Sequence, residues 1–234
     1  MQIRHLGHSC LLVRVAGATV LIDPGGFSDD GAGSLTGVDA VAVTHQHPDH
    51  VDPGLLARVL AGNPGIPVVA EPQTAHQLVD LEQLASARRA GTEVISLSPG
   101  QELAIGQATL TALGGDHAVI HPDIPRVGNI GLLLTGPGEP RLGVTGDSLE
   151  VPAEFRGIDV LAFALVAPWS KMRETIDFLR EAAPQLALPV HDAIASPAGR
   201  AIHLRQATAL APEGTEVRDW AGDRVLEVPA PAHS

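Results

Sequence analysis

The run Thr44-His45-Gln46-His47-Pro48-Asp49-His50 constrains this chain more than any other part of it. It places four metal-capable side chains, His45, His47, Asp49 and His50, within six residues, directly after an apolar stretch at 38–43 that reads as a buried strand. On a strand that ends in a loop, His45 and His47 at i and i+2 point the same way and can clamp one cation. Pro48 keeps helix from running through the segment and stiffens the bend, which turns Asp49 and His50 toward a second position beside the first. The pattern implies two metals. Four ligands cannot complete two coordination shells, so further His or Asp must arrive from other strand ends. Three residues stand in such places: His117 after Leu113-Gly114-Gly115, Asp147 after the run 142–145, and His191 after 186–190. A carboxylate such as Asp147 can bridge two cations about 3.5–4 Å apart, and water held there, its pKa lowered, is a nucleophile near neutral pH.

Short apolar runs bounded by Gly, Pro and Asp recur along the chain. In the first half they predict strands over 10–15, 19–22, 38–43 and 68–70, and helices over 53–61, with Pro in the first turn, and 74–84. In the second half they predict strands over 94–97, 102–105, 109–113, 130–135, 142–145, 160–166 and 186–190, helices over 171–181 and 197–210, and terminal strands near Glu216 and Val225. Each half is β-rich and closes with helices. The expected fold is therefore α+β, a four-layer αββα sandwich of two packed mixed sheets with helices on both outer faces. No linker divides the chain, so residues 1–228 read as one domain and the Pro/Ala-rich residues 229–234 as a frayed tail. The halves echo each other faintly, Leu6-Gly7-His8-Ser9 against Gly114-Gly115-Asp116-His117 and Val43-Thr44 against Val144-Thr145.

At the metal-capable residues the sequence resembles the metallo-β-lactamase superfamily, whose H-x-H-x-D-H signature stands intact at His45, His47, Asp49 and His50. The resemblance spans nearly the whole chain, through Leu6-Gly7-His8-Ser9 and Leu21-Ile22-Asp23-Pro24-Gly25 before the signature and His117, Gly146-Asp147-Ser148 and Leu188-Pro189-Val190-His191 after it. Those flanks are most similar to the branch containing the ascorbate-6-phosphate lactonase. The resemblance implies His45, His47 and His117 on one metal, Asp49, His50 and His191 on the other, and Asp147 between them. It implies two divalent ions per chain, with Zn2+ foremost and Mn2+ or Fe suiting the same donors. The activity it implies is metal-dependent hydrolysis of a small-molecule ester, lactone or phosphodiester, with Asp49 also acting catalytically by orienting the nucleophile or relaying its proton. The chain departs from the lactonase pattern at Asp192 and at Ala167-Pro168-Trp169-Ser170, which lacks glycine. The polar stretch after His117 offers His121, Arg126 and Asn129 as substrate contacts, since loops on a rigid scaffold commonly read the substrate.

Other residues take plainer readings. His8 reads as a hydrogen-bonding partner to a ligand, and Asp23 as an acceptor that orients the ligand loop, although Asp-Pro-Gly is also an ordinary turn. His5, His76, His203 and His233 have no companion spacing and read as surface or core. Cys10 sits in an apolar strand and reads as a small buried hydrophobe; Trp169 is core or pocket wall. Fifteen Lys and Arg against 27 Asp and Glu leave a net charge of −12, which disfavours a nucleic-acid surface and makes a nuclease the weaker hydrolase reading. With one Cys there is no disulfide scaffold, and with no Tyr and a single lysine, Lys171, several other catalytic schemes are removed. The first residues do not form a secretion signal and no long apolar run occurs, so the expectation is a cytoplasmic protein with a small-molecule substrate, no membrane and no nucleic-acid partner, with a homo-oligomer open. A di-iron redox protein on the same scaffold is the alternative outside hydrolysis.

Overall fold

The computed structural model describes residues 1–230; the last part of the expected tail, 231–234 with His233, lies outside them. The first half of the chain lays down β1 (Gln2–His5), β2 (Leu11–Val15), β3 (Ala18–Ile22), β4 (Ala40–Val43), β5 (Val68–Ala70) and β6 (Val94–Ser96) as neighbours in one sheet. The second half lays down β7 (Glu102–Ile105), β8 (Ala108–Asp116), β9 (Gly128–Thr135), β10 (Leu142–Val144), β11 (Val160–Ala164), β12 (Leu186–Val190) and β13 (Glu216–Val217) as another. A last strand, β14 (Val225–Glu227), returns to pair antiparallel with β1, so each sheet has seven strands.

Both sheets repeat one pairing scheme. From β14 through β3 the pairs are antiparallel and from β3 through β6 parallel; from β7 through β10 they are antiparallel and from β10 through β13 parallel. In this correspondence β1 matches β8, β3 matches β10 and β5 matches β12. The echo between Leu6–Ser9 and Gly114–His117 thus falls at the ends of equivalent strands, β1 and β8. The echo of Val43-Thr44 with Val144-Thr145 does not, because it pairs the end of β4 with the end of β10, and it is a coincidence of composition.

Burial on two faces explains why the central strands are apolar throughout. In β4, Ala40 and Ala42 face the other sheet while Val41 and Val43 face a helix layer. Between the sheets Val13, Val20 and Ile22 meet Leu110, Leu132 and Leu134. Outside the first sheet, Leu55, Leu56, Val59 and Leu60 of α1 (Pro53–Gly62) pack on Val41 and Val43, beside α2 (Pro72–Asp80) and α3 (Ala85–Arg89). Outside the second, Phe178 and Leu179 of α4 (Met172–Ala182) cover Leu161 and Phe163, next to α5 (Pro197–Leu210). These are the four layers of an αββα sandwich.

Three expectations change. The helix predicted over 74–84 breaks at Leu81, which is extended, and continues as a short turn at Glu82–Leu84 and then α3. Leu78 and Leu84 lie about 120° apart on a continuous helix, and the break brings both into the same core. Strand β8 runs past the glycines that read as its end, because the ladder continues through Gly115↔Asn129 and Asp116↔Gly128. Strand β1 is short, with an exposed arginine, and gave no apolar run to read.

The outer layer makes a direct prediction. Phe163→Ala should lower stability in chemical denaturation by about 3–5 kcal/mol, and a loss under about 1 kcal/mol would contradict its packing beneath α4.

Candidate metal centre

Every candidate ligand follows the end of a strand. Past β4 the chain reads Thr44 and then the His45–His50 loop, which is clamped by Gly26 N–H to Pro48 O at 2.7 Å and Asp52 N–H to Pro24 O at 3.0 Å. Gly25 is required here, since a Cβ on it would stand 1.8 Å from the Asp49 carbonyl oxygen. From the opposite sheet come His117 after β8, Asp147 after β10 and His191 after β12. Gly146, at φ +56, delivers Asp147; a Cβ there would lie 2.2 Å from Asn129 Oδ1.

These residues form two adjoining groups, His45, His47, His117 and Asp147 in one and His8, Asp49, His50 and His191 in the other, with the candidate ligand atoms of each group within 4.8 Å of one another. All but His47 and Asp49 are buried. Within and between the groups, His45 Nε2 is 3.0 Å from His47 Nδ1, and His117 Nε2 is 3.2 Å from Asp147 Oδ2. His191 Nε2 is 3.3 Å from Asp147 Oδ2 and 3.4 Å from Asp49 Oδ2. His50 Nε2 lies 3.0 Å from Asp147 Oδ1, but not in hydrogen-bonding geometry, and among the described residues neither atom has another partner; His191 Nε2 is likewise buried without one. Two donors on one tetrahedral zinc, each about 2.0–2.1 Å away, stand about 3.3 Å apart. The observed spacings fit that value, and His50 Nε2 and Asp147 Oδ1, this close without bonding one another, fit a shared cation between them. The donor set, imidazole with carboxylate, fits a divalent metal.

In three of the rings the second nitrogen is already engaged, which leaves the other nitrogen for a metal. His50 Nδ1–H donates to Asp23 Oδ2 at 2.8 Å, His117 Nδ1–H to Ala118 O at 2.6 Å, and His191 Nδ1–H to Val166 O at 2.7 Å. Asp23 also accepts the Thr44 amide and hydroxyl, both at 2.8 Å, and that hydroxyl oxygen lies 3.1 Å from His45 Nδ1. Asp23 thus stands behind the loop, bonded to both Thr44 and His50. Thr44 was not singled out, although its position between the strand and His45 was a signal.

His8 sits among the second group, yet its tautomer keeps it from ligating. Ala193 N–H donates to its Nδ1 at 3.2 Å, so the proton is on Nε2, which donates to Asp49 Oδ2 at 3.1 Å. Trp169 is pocket wall, and its indole N–H donates to Asp147 Oδ2 at 2.8 Å.

The three expected substrate contacts fare differently. Asn129 is a correction: it is 1% exposed, with its amide donating to Thr145 O and accepting from Asp147 N–H, so it positions Asp147 and cannot meet a substrate. Arg126 is held by the His117 carbonyl, Asp116 and Glu150. His121 is exposed and bonds within its own loop, to the Asp123 amide. Of the histidines read as unrelated to metal, His5 is buried against Trp220 and donates to His8 O, and His76 is exposed. Burial pushes the Cys10 thiol up to about 12, consistent with an inert hydrophobe.

The charges divide the centre. Burial drives His45 well below and His47 below the ordinary imidazole value, which keeps both neutral as ligands. Burial opposes charge at His50 and at His191 as well, but Asp147 and Asp23 outweigh it and raise His50 well above its usual value, and the facing carboxylates of Asp147 and Asp49 bring His191 to about 9. Burial also opposes ionisation of Asp147 and Asp49, and the surrounding imidazoles overcome it, so both stay below the usual carboxylate range.

An αββα sandwich that gathers imidazoles from both sheets onto one buried carboxylate is the architecture of the metallo-β-lactamase fold. The sequence profile of the beta-lactamase superfamily domain matches residues 2–191, and the chain belongs to that family. It is 42% identical over 211 residues to protein Rv0786c of Mycobacterium tuberculosis, covering 90% of this chain and 92% of that one. It is 27% identical over 196 residues to a UPF0173 protein of Pyrococcus abyssi, covering 82% and 83%. The metallo-β-lactamase fold protein YhfI of Bacillus subtilis superposes with a TM-score of 0.69 at 20% identity, over 96% of this chain and 98% of that one.

Two outcomes follow for metal binding. A cation must displace protons from His50 and His191, so zinc affinity by chelator competition should rise from about pH 6.5 to about pH 8.5, by about tenfold per unit for each proton released. A flat profile would contradict this charge arrangement. Asp23→Ala should weaken metal affinity by about 10–100-fold, because the His50 ring loses the acceptor that sets its tautomer.

Proposed function

We propose that this protein is a metal-dependent hydrolase of small molecules that holds two divalent cations, zinc foremost, one on His45, His47 and His117 and the other on Asp49, His50 and His191, with Asp147 shared. The observation that carries this is a set of buried atoms at ligand spacing around Asp147: His50 Nε2 lies 3.0 Å from Oδ1 and His191 Nε2 3.3 Å from Oδ2, and among the described residues His50 Nε2, Asp147 Oδ1 and His191 Nε2 have no hydrogen-bond partner. A metal pair in such a frame lowers the pKa of bound water and polarises a carbonyl or phosphoryl oxygen. The protein's own residues do the rest. Asp49, with its side chain 24% exposed, is the cluster carboxylate nearest solvent, and the His8 N–H on its Oδ2 keeps it ionised and aligned. It can accept the proton of the attacking water and return it to the leaving oxygen as the scissile bond breaks. Asn129 and Trp169 hold Asp147 against rotation, which preserves the shared position.

The net charge of −12 supports a small-molecule substrate over nucleic acid. Among the described residues no helix is long and apolar enough to cross a membrane. The same donors suit iron, so the metal itself separates hydrolysis from di-iron redox chemistry.

Elemental analysis of protein purified without added metal should find about two zinc or manganese per chain. His47→Ala should lose at least one of them, and hydrolysis should fall by at least about 100-fold. Two iron per chain with redox activity would contradict the hydrolase reading, as would hydrolysis that survives full metal removal.

A further inference from the structure

Two hollows flank the Ala118-Val119 segment of the β8–β9 loop, just outside the cluster. The smaller has His47 and His117 in its wall with Val119, Ile120, Ile124 and Pro125. The larger, about 440 Å³, is walled by Val119, Leu149, Trp169 and Phe178, with α4 carboxylates along one side. That volume falls within the roughly 300–1,000 Å³ of small-molecule clefts. Trp169 joins it to the centre, since its indole bonds Asp147.

Large apolar side chains are left exposed on the loops around the centre. Phe27, Val119, Ile120, Ile124 and Ile194 are 40% to 58% exposed. Each stands on a loop that carries a residue of the centre. Phe27 meets the His8 ring edge-on at 5.3 Å, Ile194 follows Ala193, whose amide bonds His8, and the other three follow His117. A concentration of this kind marks a place where apolar matter is bound.

The nearby cations are engaged. Arg126 is held by the His117 carbonyl and lies 3.3 Å from Asp116 and 3.5 Å from Glu150. Lys171, Arg173 and Arg156 pair with Glu174, Asp177 and Glu181, the carboxylates on the α4 side of the larger hollow. A phosphorylated or otherwise anionic substrate calls for an open guanidinium, ammonium or run of backbone N–H groups. In the larger hollow it would instead meet Glu174, Asp177 and Glu181, which line the wall and pair with the exposed Lys171, Arg173 and Arg156.

Resting on the hydrolase reading, we infer that the centre takes a neutral ester or lactone whose apolar acyl or aryl group seats between Val119, Trp169 and Phe178, and that it discriminates against phosphorylated substrates. Hydrolysis adds the water oxygen to the acyl carbon, breaks the acyl carbon–oxygen bond and leaves an alcohol carrying the second proton.

Binding and cleavage test this separately. Methyl ketones of increasing chain length, uncleavable carbonyl analogues, should bind the metal-loaded protein roughly two- to fourfold tighter per methylene until the hollow is filled. Val119→Asn should flatten that series, whereas Leu210→Asp, at the far end of α5, should leave it unchanged. The kcat/KM of p-nitrophenyl esters should follow the same series and exceed that of bis(p-nitrophenyl) phosphate. Ketone affinity independent of length, or a phosphodiester preferred over the longest ester, overturns the apolar subsite even where esters are cleaved. A full length dependence in binding with no cleavage of any ester supports the subsite and overturns the hydrolase reading instead.

Discussion

One buried carboxylate organises this protein. Asp147 is 2% exposed, and an ionised group in that position is tolerated only where other charges or a metal compensate it. Its two oxygens face His50, His117, His191 and the Trp169 indole, which arrive from different strands of both sheets. The sandwich can hold this arrangement because its parallel strands end together on one side, and loops leaving those ends meet across the interface. The candidate ligands come from both sheets, so a cation bound there would tie the halves together and stabilise the native packing.

The backbone is strained where the site is assembled. His8, Asp23 and His191 all adopt left-handed φ values, at 51°, 46° and 57°, in a region most side chains avoid. Asp and His tolerate it better than most residues, and the surrounding bonds over-determine each conformation. The repeated pairing scheme adds a further regularity, for His8 and His117 follow equivalent strands β1 and β8, while Asp23 and Asp147 follow β3 and β10. Equivalent positions have taken different tasks: Asp147 faces the ligands from both sheets, and Asp23 stands behind His50 and sets its tautomer.

The signature run was legible because its information is local. The spacing of His45 and His47 on a strand end, with Pro48 forcing the bend, needs no knowledge of the rest of the fold. His117, Asp147 and His191 were legible as strand-end residues, and the four layers followed from strands that are apolar on both faces. What escaped depends on partners distant in sequence. Asn129 sits in the polar loop stretch but belongs to a strand, where the β9–β10 pairing sets it beside Gly146 and turns its amide onto Asp147 rather than outward. Trp169 could be assigned to the pocket only once β11 had brought it over Asp147, and the break at Leu81 is decided by the core that receives Leu78 and Leu84.

The most direct test of this account is anomalous diffraction at the zinc edge from crystals of the zinc-loaded protein. Two peaks about 3.5–4 Å apart, one on each side of Asp147, are the predicted result. A single peak, or peaks away from the His45–His50 loop, would contradict a centre built around that shared carboxylate.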